Sequence, residues 1–400
     1  MSQLYRMRYY GTMNKRALFI TTVPITLQAF LLPLCDALQE AGWGVDALTG
    51  DTTDPAMAGD RNLLDSHFGT IHSIGWGRSL ASLFRYPTFA RQIRKLVIDG
   101  TYDVVHVHTP IAAFITRIAL KRTRCPDKVR VIYTVHGFHF LNDRQPSFSS
   151  LLYMTAERYA IHATDDLVVM NDMDEVAGKE LVALTEQSAR PCVLHRIDGT
   201  GLDFSEYNEP QDRALDEIPE PAFMIGMIAE MNENKRHALV IEAARRVIAS
   251  HPDTHFIFIG TGPLKDHLKQ KISRYNLNEH IHLTGQLAHP EVRALIPKCD
   301  LGILASKREG LPRSLMEFIA SGIPIAGVDT RGIIDEVRNS SALCEPSPDT
   351  LAALINHLID NPEQLRSLAK QQHAHAIKHY DLAVVIPQYL SLYCKQSLRG

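Results

Sequence analysis

Apolar runs of four or five residues recur along the chain. Between them lie stretches whose apolar positions repeat every three or four residues. The first pattern predicts buried strands, and the second predicts helices that lay one face on a sheet. In the first half, Ala17–Thr21, Gly44–Leu48, Thr70–Ile74, Tyr102–His108, Val129–Val135 and Asp166–Met170 read as strands. Segments 29–40, 79–98 (interrupted near Pro87), 110–121 and 148–161 read as the helices between them, and 22–28 as a loop. The pattern breaks over 203–221, a polar stretch with three prolines that reads as a linker. It then restarts. Phe223–Met227, His255–Ile259, Ile281–Thr284, Leu301–Ala305, Ile323–Ala326 and Ser341–Cys344 read as strands. Helices are expected over 235–250, 263–275, 289–297, up to Gly322, 348–359, 363–379 and 383–396. Strand–helix alternation of this kind makes parallel sheets covered on both faces, so the fold class is α/β with two doubly wound domains.

Length agrees with two domains, because 400 residues exceed what one core serves. Apolar content of 45% and charged content of 22% are those of a globular protein. A formal net charge of −3 argues against a nucleic-acid partner. Basic residues do cluster locally: Arg78, Arg85, Arg91, Arg94 and Lys95 alternate with apolar residues, a pattern that also suits a membrane surface. Lys121, Arg122, Arg124, Lys128 and Arg130 form a second cluster. The six cysteines are scattered without Cys-x-x-Cys spacing, as in a reduced, cytoplasmic protein with no zinc site. No secretory signal and no apolar run of membrane-spanning length is expected, and the structured chain is expected to begin near Met13.

Candidate chemistry gathers at strand ends. Glu309-Gly-Leu-Pro-Arg-Ser-Leu-Met-Glu317 follows one strand and leads into a helix. That puts Glu309 in a loop at the carboxyl edge of a parallel sheet, where ligands bind, and Glu317 in the first turns of the helix. Taken singly, each is an ordinary surface carboxylate. His136-Gly137 ends another strand. His106 and His108, two apart on a strand, share one face of the sheet and read as structural. Gly260-Thr-Gly262 lacks the third glycine of a dinucleotide fingerprint. Asp172-Met-Asp174 follows an N-terminal strand rather than a donor-site loop, so no metal ligand set is expected.

Five stretches together resemble retaining glycosyltransferases of family 4, which have the GT-B fold. They are Asp103-Val-Val-His-Val-His-Thr-Pro110, Val135-His-Gly-Phe-His-Phe140, Gly199-Thr-Gly-Leu-Asp203, Ile225 to Lys235, and Glu309 to Glu317 with Gly322–Ala326 and Asp329–Gly332. The flavour is that of bacterial enzymes of exopolysaccharide, O-antigen or pilin-glycan assembly. The resemblance implies two Rossmann-like domains facing across a cleft. The acceptor-binding domain would span 1–205, with helix 383–400 packing back on it, and the nucleotide-sugar domain 206–382. It implies transfer of a hexose or N-acetylhexosamine from a UDP-sugar to a polyprenyl-diphosphate-linked saccharide, with retention. No metal or other cofactor is implied, and the place is the cytoplasm or the inner face of the membrane. The resemblance assigns His136 and Glu309 to catalysis near the donor sugar, Lys235 to the diphosphate and Glu317 to the ribose. Asn232, Gly262, Gly310, Leu311, Pro312, Arg313 and Ser314 complete the donor site. Thr22, Gln28 and His139 are the acceptor-side candidates. One departure stands out. Glu230 occupies the place of a phosphate-binding arginine, so Arg236, Arg313, Lys307 or backbone amides at the helix start must compensate. A UDP-sugar epimerase-like enzyme and a silent nucleotide-sugar-binding subunit are the alternatives.

Overall fold

The computed structural model describes residues 15–52, 55–76, 84–121, 129–141, 148–207 and 223–394. The linker from 208 onward, the start of the basic stretch 78–95 and Met13 lie outside the described residues. Contacts divide the chain into two units, Met1–Gly201 with Ala383–Gly400, and Leu202–Leu382.

The first unit is a seven-stranded parallel sheet in the order β3-β2-β1-β4-β5-β6-β7. The strands are β1 Arg16–Ile20, β2 Gly44–Gly50, β3 Ile71–Ile74, β4 Val104–Val107, β5 Arg130–Thr134, β6 Asp166–Val169 and β7 Val193–Arg196. Central strands are buried on both faces, which is why β1 and β4 read as unbroken apolar runs. The seventh strand was not expected. Its sequence Val-Leu-His-Arg lies half-exposed at the sheet edge, so it lacks the continuous apolar signal of a central strand.

The second unit repeats the plan with six parallel strands in the order β10-β9-β8-β11-β12-β13. They are β8 Phe223–Ile228, β9 Thr254–Ile259, β10 Ile281–Gly285, β11 Leu301–Leu304, β12 Ile325–Val328 and β13 Leu343–Cys344. Gly226 and Gly302 sit under the ring of Phe318. A Cβ on either would lie 2.5–2.6 Å from it, so these glycines let the helix Arg313–Ala320 press onto the sheet.

Several helix boundaries differ from the sequence pattern, each for a local reason. Segment 22–28 is not a loop throughout: Pro24–Phe30 is a helix, and Leu32–Glu40 is a second one, broken at Leu31 because Pro33 cannot donate a backbone bond. Of the segment 79–98, the described part forms a turn at 84–85 and then a helix, Tyr86–Asp99, with Pro87 in its first turn and Phe89, Ile93 and Val97 facing the core. The helix expected from 235 begins at His237, after Arg236 in a left-handed conformation (φ 54°). Leu382–Cys394, the last described helix, belongs largely to the first unit. Tyr393 bonds His106 across 2.6 Å, and Tyr389 donates to the Gly199 carbonyl at 3.2 Å.

Candidate active site

In each sheet the strand order reverses between two central strands, β1 and β4 in the first unit and β8 and β11 in the second. The loops leaving the carboxyl ends of such a pair diverge and leave a crevice. In the second unit those two loops carry Lys235 and Glu309.

The loop after β8 is a self-braced turn. Asn232 Oδ1 accepts from the amides of Asn234 (3.0 Å) and Lys235 (3.1 Å), and its Nδ2 donates to Glu230 (2.8 Å). Glu230 thus works on the turn that carries Lys235. Asn232, a donor-site candidate, uses its polar atoms inside the same turn. The two loops are stitched together: the Lys307 amide donates to the Asn234 carbonyl at 2.7 Å, and Asn234 Nδ2 to the Arg308 carbonyl at 3.1 Å. The result is an ion pair between Lys235 Nζ and Glu309 Oε1 at 2.6 Å, with both side chains mostly buried. Behind the lysine, His237 is buried edge-on to Phe258. Burial, and then the charge of Lys235, pushes its imidazole down to about 4, so it is neutral beside the cation.

Glu309 is held from the other side by the segment after β12. Its amide donates to the Arg331 carbonyl, and Arg331 Nε donates to the Glu309 carbonyl, both at 3.2 Å. Gly332 (φ 81°) lies so close that a Cβ would stand 2.7 Å from the Gly310 carbonyl oxygen and 2.8 Å from the Glu309 Cβ. This clamp delivers Glu336, a fully buried carboxyl whose two oxygens have no hydrogen-bond partner. Burial, together with the nearby charges of Glu309 and Asp335, raises its pKa well above the usual carboxylate range, so it is held uncharged. The sequence signal for it was available: an acid between Ile333 and Val337, at a helical position that faces the core.

Helix Arg313–Ala320 begins at Pro312, with no side chain capping its start, and carries Glu317 in its second turn. Glu317 Oε1 lies 3.2 Å from His289 Nε2 and 3.4 Å from Arg313 Nε. Tyr207 Oη lies 3.3 Å from the same His289 nitrogen. Neither His289 nor Tyr207 carries a motif. Only the fold, which places helix His289–Leu295 beside this one, brings them to Glu317. Gly262 does permit a close approach, but to its own chain: a Cβ there would stand 2.6 Å from the Met231 carbonyl oxygen. Leu311 and Ser314 flank the helix start, and Lys307 Nζ stands 3.9 Å from Glu233.

The switch point of the first unit is uncharged. The Thr22 amide donates to Thr109 Oγ1 at 2.7 Å, and the two hydroxyls are 2.5 Å apart. Trp76 donates to the Thr22 carbonyl at 3.0 Å. Beneath them three imidazoles form a row, with His106–His108 centroids 4.1 Å apart and His108–His136 5.7 Å. His106 engages Tyr393 and Thr134. The nitrogens of His108 and Nε2 of His136 are buried without partners. Burial is the main cause that lowers all three pKa values, that of His106 to about 3. The loop after β5 is tied down by Asp174, which accepts from the Phe138 amide at 3.0 Å. His139 is exposed and its ring rests 5.2 Å from that of Tyr153. Gln28 is not in a loop; its Oε1 accepts from the Asp60 amide at 2.6 Å, joining two helical segments. Among the described residues no group of three or more His, Cys, Asp or Glu is arranged as a metal site. Among them, too, no helix is long and apolar enough to cross a membrane.

Two family models match separate parts of the chain. Residues 208–375 match the family of glycosyl transferases group 1, and residues 28–174 match glycosyltransferase family 4. A Bacillus subtilis protein named as a glycosyltransferase, EpsD, is 28% identical over 93% of this chain and 95% of its own length. The Escherichia coli UDP-Gal:α-D-GlcNAc-diphosphoundecaprenol α-1,3-galactosyltransferase is 26% identical over 58% of each chain. Among solved structures, Anabaena HepE in complex with UDP superposes with a TM-score of 0.70 at 18% identity, covering 96% of this chain and 100% of that one. The sucrose-phosphate synthase of Thermosynechococcus elongatus gives a TM-score of 0.76 at 17% identity, covering 95% and 98%.

Proposed function

We propose that this chain, whose two halves match glycosyl transferases group 1 and glycosyltransferase family 4, is a GT-B glycosyltransferase that moves a hexose or N-acetylhexosamine from a UDP-sugar to a lipid-linked saccharide with retention of anomeric configuration. The observation that carries the reading is the Lys235–Glu309 pair at 2.6 Å on the two loops that leave the switch point of the second sheet. Departure of a nucleoside diphosphate builds negative charge on the leaving oxygen and positive charge on the sugar ring. A fixed cation beside a fixed carboxylate meets both needs. Lys235 takes the diphosphate, supported by the amides at the start of helix Arg313–Ala320. Glu309 accepts from the donor sugar's hydroxyls, and Glu317 from the two ribose hydroxyls, since one carboxylate can accept both. His136 is assigned a hydrogen bond to the transferring sugar. Lys235 and the helix amides are proposed to neutralise the leaving group without a metal.

UDP as the nucleotide draws support from the UDP complex of HepE, and a lipid-diphosphate acceptor from the substrate named for the Escherichia coli enzyme. The test is UDP release from a panel of UDP-sugars, with and without bacterial lipid extract, for the wild type and Glu309→Ala. The reading requires acceptor-dependent release that is indifferent to EDTA, is abolished in the variant and yields a product of unchanged anomeric configuration. Tight UDP binding with no turnover of any donor would contradict it.

A further inference from the structure

Among the described residues, Glu336 is a carboxyl only 1% exposed and has neither oxygen hydrogen-bonded. Leaving such a group unpaired is unfavourable. Its position is set from Gly332. The two are four residues apart, at the cap and in the body of helix Ile333–Val337, so they lie on one side of it. That side meets Glu309, since a Cβ on Gly332 would stand 2.8 Å from the Glu309 Cβ. Helical side chains lean toward the helix N-terminus, so Glu336 leans back toward Gly332 and Glu309. Ile333 and Val337 on the same helix are buried as well. The charged groups that act on Glu336 are Glu309 from the loop after β11, Lys235 from the loop after β8, and Asp335 from its own helix. Arg331 is turned to the Glu309 carbonyl, to which its Nε donates at 3.2 Å. From helix Pro362–His379 and its cap, Gln372 Nε2 donates to the Val337 carbonyl at 3.4 Å and Tyr380 to the Asp335 carbonyl at 3.0 Å. Neither of those side chains is charged.

The Lys235–Glu309 pair gives this orphan a use. Lys235 Nζ donates to Glu309 Oε1 at 2.6 Å. A diphosphate competes for the same ammonium, because charge-assisted bonds to phosphate oxygens are strong. A mostly buried carboxylate that loses part of its cation needs another donor. We propose that Glu336 is a positioning residue: when a nucleoside diphosphate draws Lys235 away, the carboxyl O–H of Glu336 takes over as donor to the Glu309 carboxylate and fixes that side chain where it meets the donor sugar. The proton stays on Glu336 throughout, and one proton then serves two carboxyl groups that cannot both ionise at such close quarters. Burial and the neighbouring acids already hold Glu336 uncharged, so the donor is ready before it is called on. The role rests on the donor-site reading of Lys235 and Glu309 given above, but not on which sugar is moved.

The test is infrared difference spectroscopy of the full chain with and without UDP, beside UDP calorimetry on the wild type, Glu336→Gln, Glu336→Leu and Lys235→Ala. At neutral pH the wild type should show a protonated-carboxyl C=O band that UDP moves to lower frequency, and Glu336→Gln should lack that band. Glu336→Leu fills the space without a donor and should weaken UDP binding by about tenfold. The amide of Glu336→Gln can donate and should recover most of that loss. Wild-type UDP affinity should fall as pH rises and Glu336 gives up its proton, a fall that Glu336→Gln should not share. In the UDP-release assay, Glu336→Leu should lower kcat by about 10²-fold, since Glu309 is then misplaced. A carboxyl band that UDP leaves unmoved, or wild-type UDP affinity in Glu336→Leu, would overturn the role of Glu336 while Lys235→Ala still binds UDP weakly. Wild-type affinity in Lys235→Ala, or no UDP binding by the wild type, would overturn the donor-site reading and the role of Glu336 with it.

Discussion

The two units share one topology and one switch point, yet they fill it with opposite chemistry. In the second unit the crevice holds the Lys235–Glu309 ion pair, with the uncharged Glu336 and neutral His237 nearby. In the first it holds hydroxyls and a row of neutral imidazoles, and the most deeply buried of its described ion pairs, Arg117–Glu157, lies on two helices. The contrast fits a division of labour. A leaving diphosphate needs fixed charge where its own charge grows, while a hydroxyl acceptor needs polar groups that neither attract nor repel ions. On the proposed reading, charge in the first unit serves packing and charge in the second meets the donor.

That contrast can be broken by removing each charge in turn. Glu157→Ala leaves Arg117 buried and unpaired, and should cost about 3–5 kcal/mol in denaturant unfolding of the first unit. A loss under about 1 kcal/mol would show that the pair is not structural. Lys235→Ala should slow UDP release by roughly 10²–10³-fold, with little change in melting temperature. A comparable loss of stability would move Lys235 from the ligand to the scaffold.

Acid gives the next largest effect. The imidazoles of His106 and His108 are held below their ordinary 6.5, so between that value and about 3 the unfolded chain binds protons that the folded one refuses. Stability from these groups is complete above 6.5 and is lost as pH falls, so the first unit should lose stability steadily between pH 6 and 4, and His106→Gln should flatten that loss. A melting temperature of the first unit that does not change across that range would refute the assignment. Glu336→Gln is the mildest test. The native carboxyl is raised above its ordinary 4.5, so its contribution is complete below that value and declines as pH rises. The amide cannot ionise, so the variant should gain a few degrees in melting temperature at pH 8 and none at pH 4. A gain at both values would mean that packing, not ionisation, is responsible.

Most of this architecture was legible in the sequence, because central parallel strands must be apolar throughout and therefore announce themselves. Edge strand Val193–Arg196 did not, since one side of it meets water. Glu309, Glu317, Lys235 and His136 were legible through motifs at strand ends. His289 and Tyr207 were not, because they reach Glu317 from 28 residues before it and from another element. Glu230 was legible as an anomaly, but its job was not: only geometry shows it bracing Asn232 and thereby the lysine turn.

The helix Leu382–Cys394 imposes an order of events on synthesis. The first unit relies on Tyr393 and Tyr389 for contacts to His106 and Gly199, yet those tyrosines leave the ribosome after the whole of Leu202–Leu382. The unit made first is therefore completed last, and the unit made second can close alone. A ribosome-stalled chain ending before Ala383 should yield a protease-resistant second unit joined to a digestible first one, inverting the usual N-to-C order of domain maturation.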